Sequence, residues 1–404
     1  MNETPIRVDM IANARMPSQR AQSLQLANTA GAFARAGARV RLLHARRRSA
    51  PELPPGESLF TYYGVQAPME PVVEAVPCRD WIDSVPRRLQ YAPARLQELD
   101  FSRNAAARVL GAAGAEGLDP LVLSREVEAA VKLLRAGHRA VFLELHRLPG
   151  GRLRRGWLAE VLANAAGVIA ISEGVAEDLA ELGLPAERMC VEHDGVDLER
   201  YDGRVTQAAA RAAIDVPLDT PLVVYTGGLL AWKGVDLAVD AARLLPEVQF
   251  VIAGGMDADV AELRQRAAGL ANVRVDGFQP PARVIEYICA ADVGLLPNRS
   301  TPAISARYTS PLKLFEYMAA GVPMVASDLP SMRALLEHGR DALLVPPDSA
   351  PELATGIRTL LEDSQTRYHM SKRLRIRAPR YSWDKRARRL LDWMQARLAG
   401  ERAA

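Results

Sequence analysis

Residues 310–330, SPLKLFEYMAAGVPMVASDLP, join a helix to a buried strand. Leu312, Phe315 and Met318 recur at helical spacing just after Pro311, a residue favoured at a helix start. The small residues that follow turn the chain into PMVASD, which reads as a short strand. A single carboxylate, Glu316, interrupts the apolar run. Near a helix start an anion complements the macrodipole, so packing and dipole alone account for it. On a second reading, the N–H groups at the helix start hold a phosphate and Lys313 points at the same anion. Glu316 then accepts hydrogen bonds from a sugar hydroxyl. Spacing leaves both open.

Outward from this stretch the same grammar repeats. PLVVYTG, VQFVIAG, VRVDGF and DVGLLPN read as strands, and VDLAVDAARLL, VAELRQRAAG and PARVIEYICAA as helices between them. The first half follows suit. IRVDMIA, RVRLLHA, PLVLSR, AVFLEL and AGVIAIS are strand-like, with helices at SQRAQSLQLANTAGAFARAGA (Ser18 as N-cap, Gly37 as stop), REVEAAVKLLRAG and EGVAEDLAELG. Such alternation means parallel sheets covered on both faces, hence an α/β chain of two doubly wound halves. YDGRVTQAAARAAIDVPLDT reads as the linker with a leading helix. Residues 46–105 are Pro-rich with little periodicity and read as irregular structure or a lid.

A chain of 404 residues is long enough for two cores. Its net charge of +3 excludes a dedicated nucleic-acid binder. Between Arg367 and Arg397, eleven Lys or Arg stand against Asp384 and Asp392. That run reads as a solvated helix face, with peripheral contact at an anionic membrane surface as the alternative. Cys78, Cys190 and Cys289 are odd in number and far apart, which fits free thiols in a reducing compartment. No signal-like or membrane-spanning apolar run occurs, so a cytoplasmic location is expected.

Two further constellations could carry chemistry. In YTGGLLAWKG, a strand ends at Gly227 and Gly228 with Lys233 on the loop beyond. An ammonium there can neutralise a diphosphate as it becomes a leaving group. In FLELHRLPGG, Glu144 and His146 alternate on a strand end and so point the same way, beside a Pro-Gly-Gly loop. His193 and Asp194 in VEHDGVD sit at a turn and read as structural, and Asp257 and Asp259 in MDADV read as acidic residues opening a helix. There is no Walker loop, no metal-ligand spacing and no Gly-x-Ser-x-Gly elbow.

Taken together, SPLKLFEYMAAGVPMVAS, YTGGLLAWKGVDLAVDAA, ISEGVAEDL, VEHDGVDLERYD and the closing YSWDKRARRLLDWM resemble the retaining, nucleotide-sugar-dependent glycosyltransferases of family 4. The resemblance covers nearly the whole chain. It implies a GT-B fold: two Rossmann-like doubly wound domains facing across a cleft. Residues 1–203 would be the acceptor side, 204–380 the nucleotide-sugar domain, and 381–404 a helix crossing back to the first domain. By position, Glu316 matches the Glu that holds the ribose hydroxyls, Lys233 the Lys on the diphosphate, and His146 a His near the reacting sugar carbon. Gly277 and Phe278 match the turn that holds the base. Leu312 and Lys313 open the phosphate-facing helix.

Three positions depart from the pattern. Tyr308 stands where the family has its first Glu, Gly228 where an Arg usually precedes the Lys, and ARMPSQRAQ replaces an N-terminal Gly-Gly loop. Arg15, Ser18 and Arg20 would then supply the acceptor-side anion contacts, with Glu144 and His146 beside them. The resemblance implies a nucleoside-diphosphate sugar as donor substrate (UDP commonest, GDP or ADP alternatives) and a glycan, lipid-linked or small-molecule hydroxyl acceptor. It implies no metal and no other cofactor, and leaves oligomeric state open. A sugar-nucleotide epimerase on the same fold and a non-catalytic subunit are the rival readings.

Overall fold

A computed structural model describes residues 5–116 and 120–403. The chain divides into two compact units, one of residues 1–171, 175–193 and 383–404, the other of residues 172–174 and 194–382.

The first unit is built from β1 (Arg7–Ala12), α1 (Ala21–Arg35), β2 (Arg39–Ala45), the short α2 (Leu59–Tyr62), β3 (Val72–Val76), α3 (Tyr91–Glu116), β4 (Leu121–Ser124), α4 (Val127–Arg135), β5 (Val141–Leu145), α5 (Arg152–Asn164), β6 (Gly167–Ala170), α6 (Glu173–Glu181) and β7 (Met189–Val191). All seven strands are parallel, in the order β3-β2-β1-β4-β5-β6-β7. The second unit runs α7 (Gln207–Ala213), β8 (Leu222–Thr226), α8 (Val235–Ala242), β9 (Gln249–Ala253), α9 (Asp257–Arg266), β10 (Val273–Gly277), α10 (Pro281–Ala290), β11 (Val293–Leu296), α11 (Leu312–Ala320), β12 (Met324–Ser327), α12 (Pro330–Arg333), β13 (Ala342–Val345), α13 (Ala350–Glu362) and α14 (Ser364–Arg377). Its six parallel strands are ordered β10-β9-β8-β11-β12-β13. The last helix, α15 (Trp383–Ala403), belongs to the first unit, where Trp393 meets Phe142 edge-on at 5.6 Å and lies against Gly167.

Both sheets therefore carry the doubly wound strand order, and each has a switch point where connections leave in opposite directions: β1/β4 in one, β8/β11 in the other. Ligands in such sheets bind at the carboxyl ends of the strands flanking that point. Central strands such as β5, β8 and β12 are buried along their whole length, which is why they read as unbroken apolar runs. In the second unit Val224, Leu296 and Met324 pack on Leu314, Phe315 and Met318 of α11, while Val223, Leu295 and Val325 pack on Val235, Val239 and Ile357 across the sheet.

Four expectations need correction. Residues 46–105 hold β3, α2 and the first part of the 26-residue α3, not only irregular chain. Ser18 does not cap α1; the helix opens after Arg20, and the Ser18 backbone is pinned to the Tyr63 hydroxyl at 2.7 and 2.9 Å. The expected boundary at 203/204 lies further back: residues 194–203 go with the second unit, where Val196 N–H donates to Tyr381 O at 2.9 Å. The C-terminal basic run is not a plain solvated face. Arg373 and Arg377 pair with Asp341, Arg389 with Glu192, and Arg386 is buried against Glu144. No helix among the described residues is long and apolar enough to cross a membrane.

One buried carboxylate gives the first unit a pH dependence. Glu126, just after β4, accepts the Asn13 N–H at 2.8 Å, tying the exit of β1 to that of β4. Glu98 and Glu128 crowd it, and Arg95 and Arg154 bridge those two. Burial, reinforced by Glu98 and Glu128, pushes the Glu126 carboxyl up to about 7. Between the unfolded value near 4.5 and this one, the folded chain holds the extra proton. Stability therefore falls as pH rises through that window. Glu126→Gln keeps an acceptor for Asn13 and is expected to flatten the fall and raise Tm at pH 8. Parallel Tm-versus-pH curves for the two proteins would disprove the assignment.

Candidate active site

The second unit presents its polar groups at the β8/β11 switch point. β8 ends at Thr226, and Gly227 (φ +123°) and Gly228 carry the chain into a short helical turn holding Lys233. Tyr225 OH donates to Gly228 O at 2.8 Å and fixes this turn. Gly234 closes it at φ +65°; a Cβ there would come within 1.9 Å of Pro297 O, so the loop after β8 and the end of β11 touch backbone to backbone. This approach lays Lys233 over Gly228, whose hypothetical Cβ would be 3.7 Å from the ammonium. The Arg expected by family pattern at Gly228 would compete for that space.

α11 enters from the other side. Pro311 precedes it, and no acidic residue occupies its first turn, where N–H groups lack intrahelical partners. Lys313 in that turn is buried, its ammonium 3.3 Å from the centroid of the Tyr225 ring. It has no hydrogen-bond partner among the described residues. Burial, then the like charge of Lys233, pushes it well below the ordinary lysine value, against the pull of Glu316. Burial alone takes Lys233 to about 8.

Glu316 follows in the second turn, half-buried, so it is not sealed inside the unit. Burial raises its carboxyl, opposed by Arg200, Lys313 and a hydrogen bond from Tyr201. Two further buried polar atoms lie at the strand ends without a partner among the described residues: Thr226 Oγ1 on the last residue of β8 and Asn298 Oδ1 after β11. Sequence reasoning passed over both. The signal that finds them is topological, since each is a polar residue at the end of a strand flanking the switch point.

Gly277 ends β10 at φ +73°, its carbonyl receiving the Gly254 N–H at 2.6 Å, and Phe278 is half-buried beyond it. Tyr308 ends a turn of π-helix, Ile304–Tyr308, on the connection before α11, its ring 5.6 Å from the Arg307 guanidinium carbon. Lys233, Lys313 and Glu316 thus form one charged group beside Gly227, Gly228 and Leu312. Gly277 and Phe278 lie two strands away in the same sheet.

In the first unit, Glu144 and His146 are indeed on one side of β5's end, with His146 Nε2 2.8 Å from Glu144 Oε1. Glu144 is buried; burial would raise it, yet Arg386, His146 and Arg125 hold it well below the usual carboxylate range. Gln25 Nε2 and Arg386 NH2 also reach its oxygens, at 3.3 and 2.8 Å. Burial and Arg125 take His146 down to about 4, so near neutral pH it is an uncharged imidazole. With an ionised carboxylate at Nε2, that nitrogen carries the hydrogen and Nδ1 keeps its lone pair. The boundary between the two units falls between His193 and Asp194, and the Asp194 N–H donates to Ser310 Oγ at 2.9 Å.

Arg15, Ser18 and Arg20 line a cavity of about 290 Å³ beside the end of β1, together with Asn13, Arg47, Asp83 and Gln90. Arg15 NH2 donates to Asp83 Oδ2 at 3.1 Å, and among the described residues no hydrogen bond or ion pair links Arg15, Ser18 or Arg20 directly to Glu144 or His146.

Comparison with known proteins adds the family. The model for Glycosyltransferase Family 4 matches residues 23–200, and that for Glycosyl transferases group 1 matches residues 220–363. A D-inositol 3-phosphate glycosyltransferase of Xylanimonas cellulosilytica is 29% identical over 248 residues, 58% of this chain and 57% of its own. An alpha-D-kanosaminyltransferase of Streptomyces kanamyceticus is 27% identical over 219 residues, 52% of this chain and 54% of its own. The chain thus spans little more than half the length of these curated relatives. Among solved structures, sucrose-phosphate synthase of Thermosynechococcus elongatus superposes with a TM-score of 0.76 at 19% identity, covering 98% of this chain and all of that one. Anabaena HepE in complex with UDP gives 0.73 at 18%, covering 97% and 100%. At such identities the likeness carries the fold.

Proposed function

The chain belongs to the group 1, family 4 glycosyltransferases, and on that premise we propose that it moves a sugar from a nucleoside-diphosphate sugar to a hydroxyl acceptor with retention of configuration. The observation that carries this reading is the set of unpartnered polar atoms at the β8/β11 switch point. Among the described residues the Lys313 ammonium, Thr226 Oγ1 and Asn298 Oδ1 are buried without hydrogen-bond partners, which is costly unless a ligand answers them. A diphosphate answers the ammonium, the Lys233 charge and the first-turn N–H groups of α11 together.

On this reading Glu316 accepts from the ribose hydroxyls, Gly277 and Phe278 hold the base, and Tyr308 lies toward the donor sugar. Loss of the nucleoside diphosphate breaks the bond at the anomeric carbon. The acceptor hydroxyl attacks from the same face and passes its proton to the departing phosphate oxygen. Lys233 and Lys313 neutralise the charge that builds there, which makes a metal ion unnecessary. By family position His146, a neutral imidazole in the first unit, serves the acceptor side.

The test is a thermal shift with UDP, GDP, ADP and their sugars, since a ligand at a hundred times its Kd stabilises by about 2.7 kcal/mol. UDP is the first to try, because HepE was solved with it. Lys233→Ala should then lower turnover about 100- to 1,000-fold, the loss seen when one electrostatic donor to a developing anion is removed. No shift with any nucleotide, or a fully active Lys233→Ala, would end the proposal.

A further inference from the structure

The transferase reading gives the cavity in the first unit acceptor-side anion contacts but does not say which anion it takes. Three arginines line it, Arg15, Arg20 and Arg47. Burial lowers Arg15, and the like charges of Arg47 and Arg20 add to the effect. Two carboxylates answer three cations. Arg47 Nε sits 2.9 Å from buried Asp80, and Arg15 NH2 is 3.1 Å from Asp83 on the rim. Arg20 has no ion-pair partner among the described residues. Asp83 is half exposed (52%), and an exposed pair of this kind holds by under about 1 kcal/mol. An incoming anion can therefore displace it and take over Arg15.

A volume of about 290 Å³ is at the lower edge of small-molecule sites. Asn13 and Gln90 add amides to the wall. Guanidinium forks match phosphate oxygens bidentately, and three of them suit a phosphate better than a single carboxylate.

We propose that this cavity receives a phosphate group carried by the acceptor, bound by Arg15, Arg20 and Arg47, with acceptor hydroxyls against Asn13 and Gln90. The inference rests on the transferase reading. A phosphate of this kind can belong to a soluble polyol or sugar phosphate, or to a lipid head group. The second source has a physical motive: Trp81, Leu89 and Tyr91, at 45%, 58% and 79% exposure, immediately flank the lining residues Ile82 and Gln90.

The experiment uses the full chain with two sets of probes. One set is inositol phosphate and glucose 6-phosphate against inositol and glucose. The other is vesicles of uncharged, phosphate-free galactolipid with or without phosphatidic acid. In at least one set the phosphate-bearing probe should bind about tenfold or more tighter than its neutral counterpart. Arg20→Gln and Arg47→Gln should each remove most of that difference, and the responding set identifies the source. Arg20 is exposed, so its substitution does not threaten folding. Equal binding of phosphate-bearing and neutral probes in both sets, or variants indistinguishable from wild type, would overturn the proposal. UDP titrated into the same proteins separates the two failures. If UDP binds normally but phosphate is not discriminated, only the cavity assignment falls; if UDP does not bind, the transferase reading falls with it.

Discussion

Lys313→Met is expected to stabilise the ligand-free chain while removing most of its affinity for UDP. The two effects have one cause. The ammonium is buried against the face of Tyr225, feels the like charge of Lys233 more than the pull of Glu316, and has no hydrogen-bond acceptor among the described residues. An unsatisfied buried polar group costs about 1–3 kcal/mol, more if charged, and Met fills nearly the same volume without that cost. Hydrogen bonds to charged groups contribute about 1.5–3 kcal/mol, so losing the diphosphate contact should weaken UDP about 10- to 150-fold. Because both lysines sit below their ordinary value, UDP should pull protons onto them as it binds. Calorimetry in buffers of different ionisation enthalpy should show that uptake above neutral pH, reduced in the variant. A variant that is less stable than wild type, or that binds UDP equally well, would show that Lys313 is a packing residue.

The same contrast explains how far the sequence could be read. The strand–helix alternation was legible because doubly covered strands show as apolar runs; PLVVYTG becomes β8, buried from Leu222 to Thr226. Lys233, Lys313 and Glu316 were legible because each lies in a short motif next to a strand end or helix start. α3 was not. It buries Gln97, Asp100 and Ser102 beside Phe101, Ala105 and Val109 while exposing Leu96, so polar residues blur its apolar stripe. Polar contacts help to hold it, such as the paired amides of Gln97 and Asn13 at 2.9 and 3.0 Å. Thr226 and Asn298 become a site only because β8 and β11 are neighbours in the sheet, a fact of strand order and not of local pattern. The basic C-terminal run misled for a similar reason. Its partners Glu144, Glu192 and Asp341 are remote in sequence, and nothing near Arg386 announces that it will be buried.

Arg386→Met should be among the most damaging single changes to the first unit. Arg386 and Glu144 are 1% and 2% exposed at their side chains, 2.8 Å apart, and 242 residues apart in the chain. The pair clamps α15 to the end of β5, and Arg386 Nε also donates to His193 O at 2.8 Å. Removing one member of a buried pair strands the other charge and costs about 3–5 kcal/mol. Since two units need not unfold together, amide exchange in β5 and α15 is the proper readout, with the β8 amides as control. Arg386→Met with Glu144→Gln should recover much of the loss, because no lone charge then remains. The local electrostatics give a second, independent signature at His146. Arg386 disfavours the imidazolium and Glu144 favours it. His146 should therefore titrate above its present value near 4 in Arg386→Met, and lower still in Glu144→Gln. Opposite shifts, followed by imidazole NMR, distinguish a charge relay from mere loosening, which would let water in and move both variants toward the ordinary histidine value. If both move that way, the role of α15 reduces to packing.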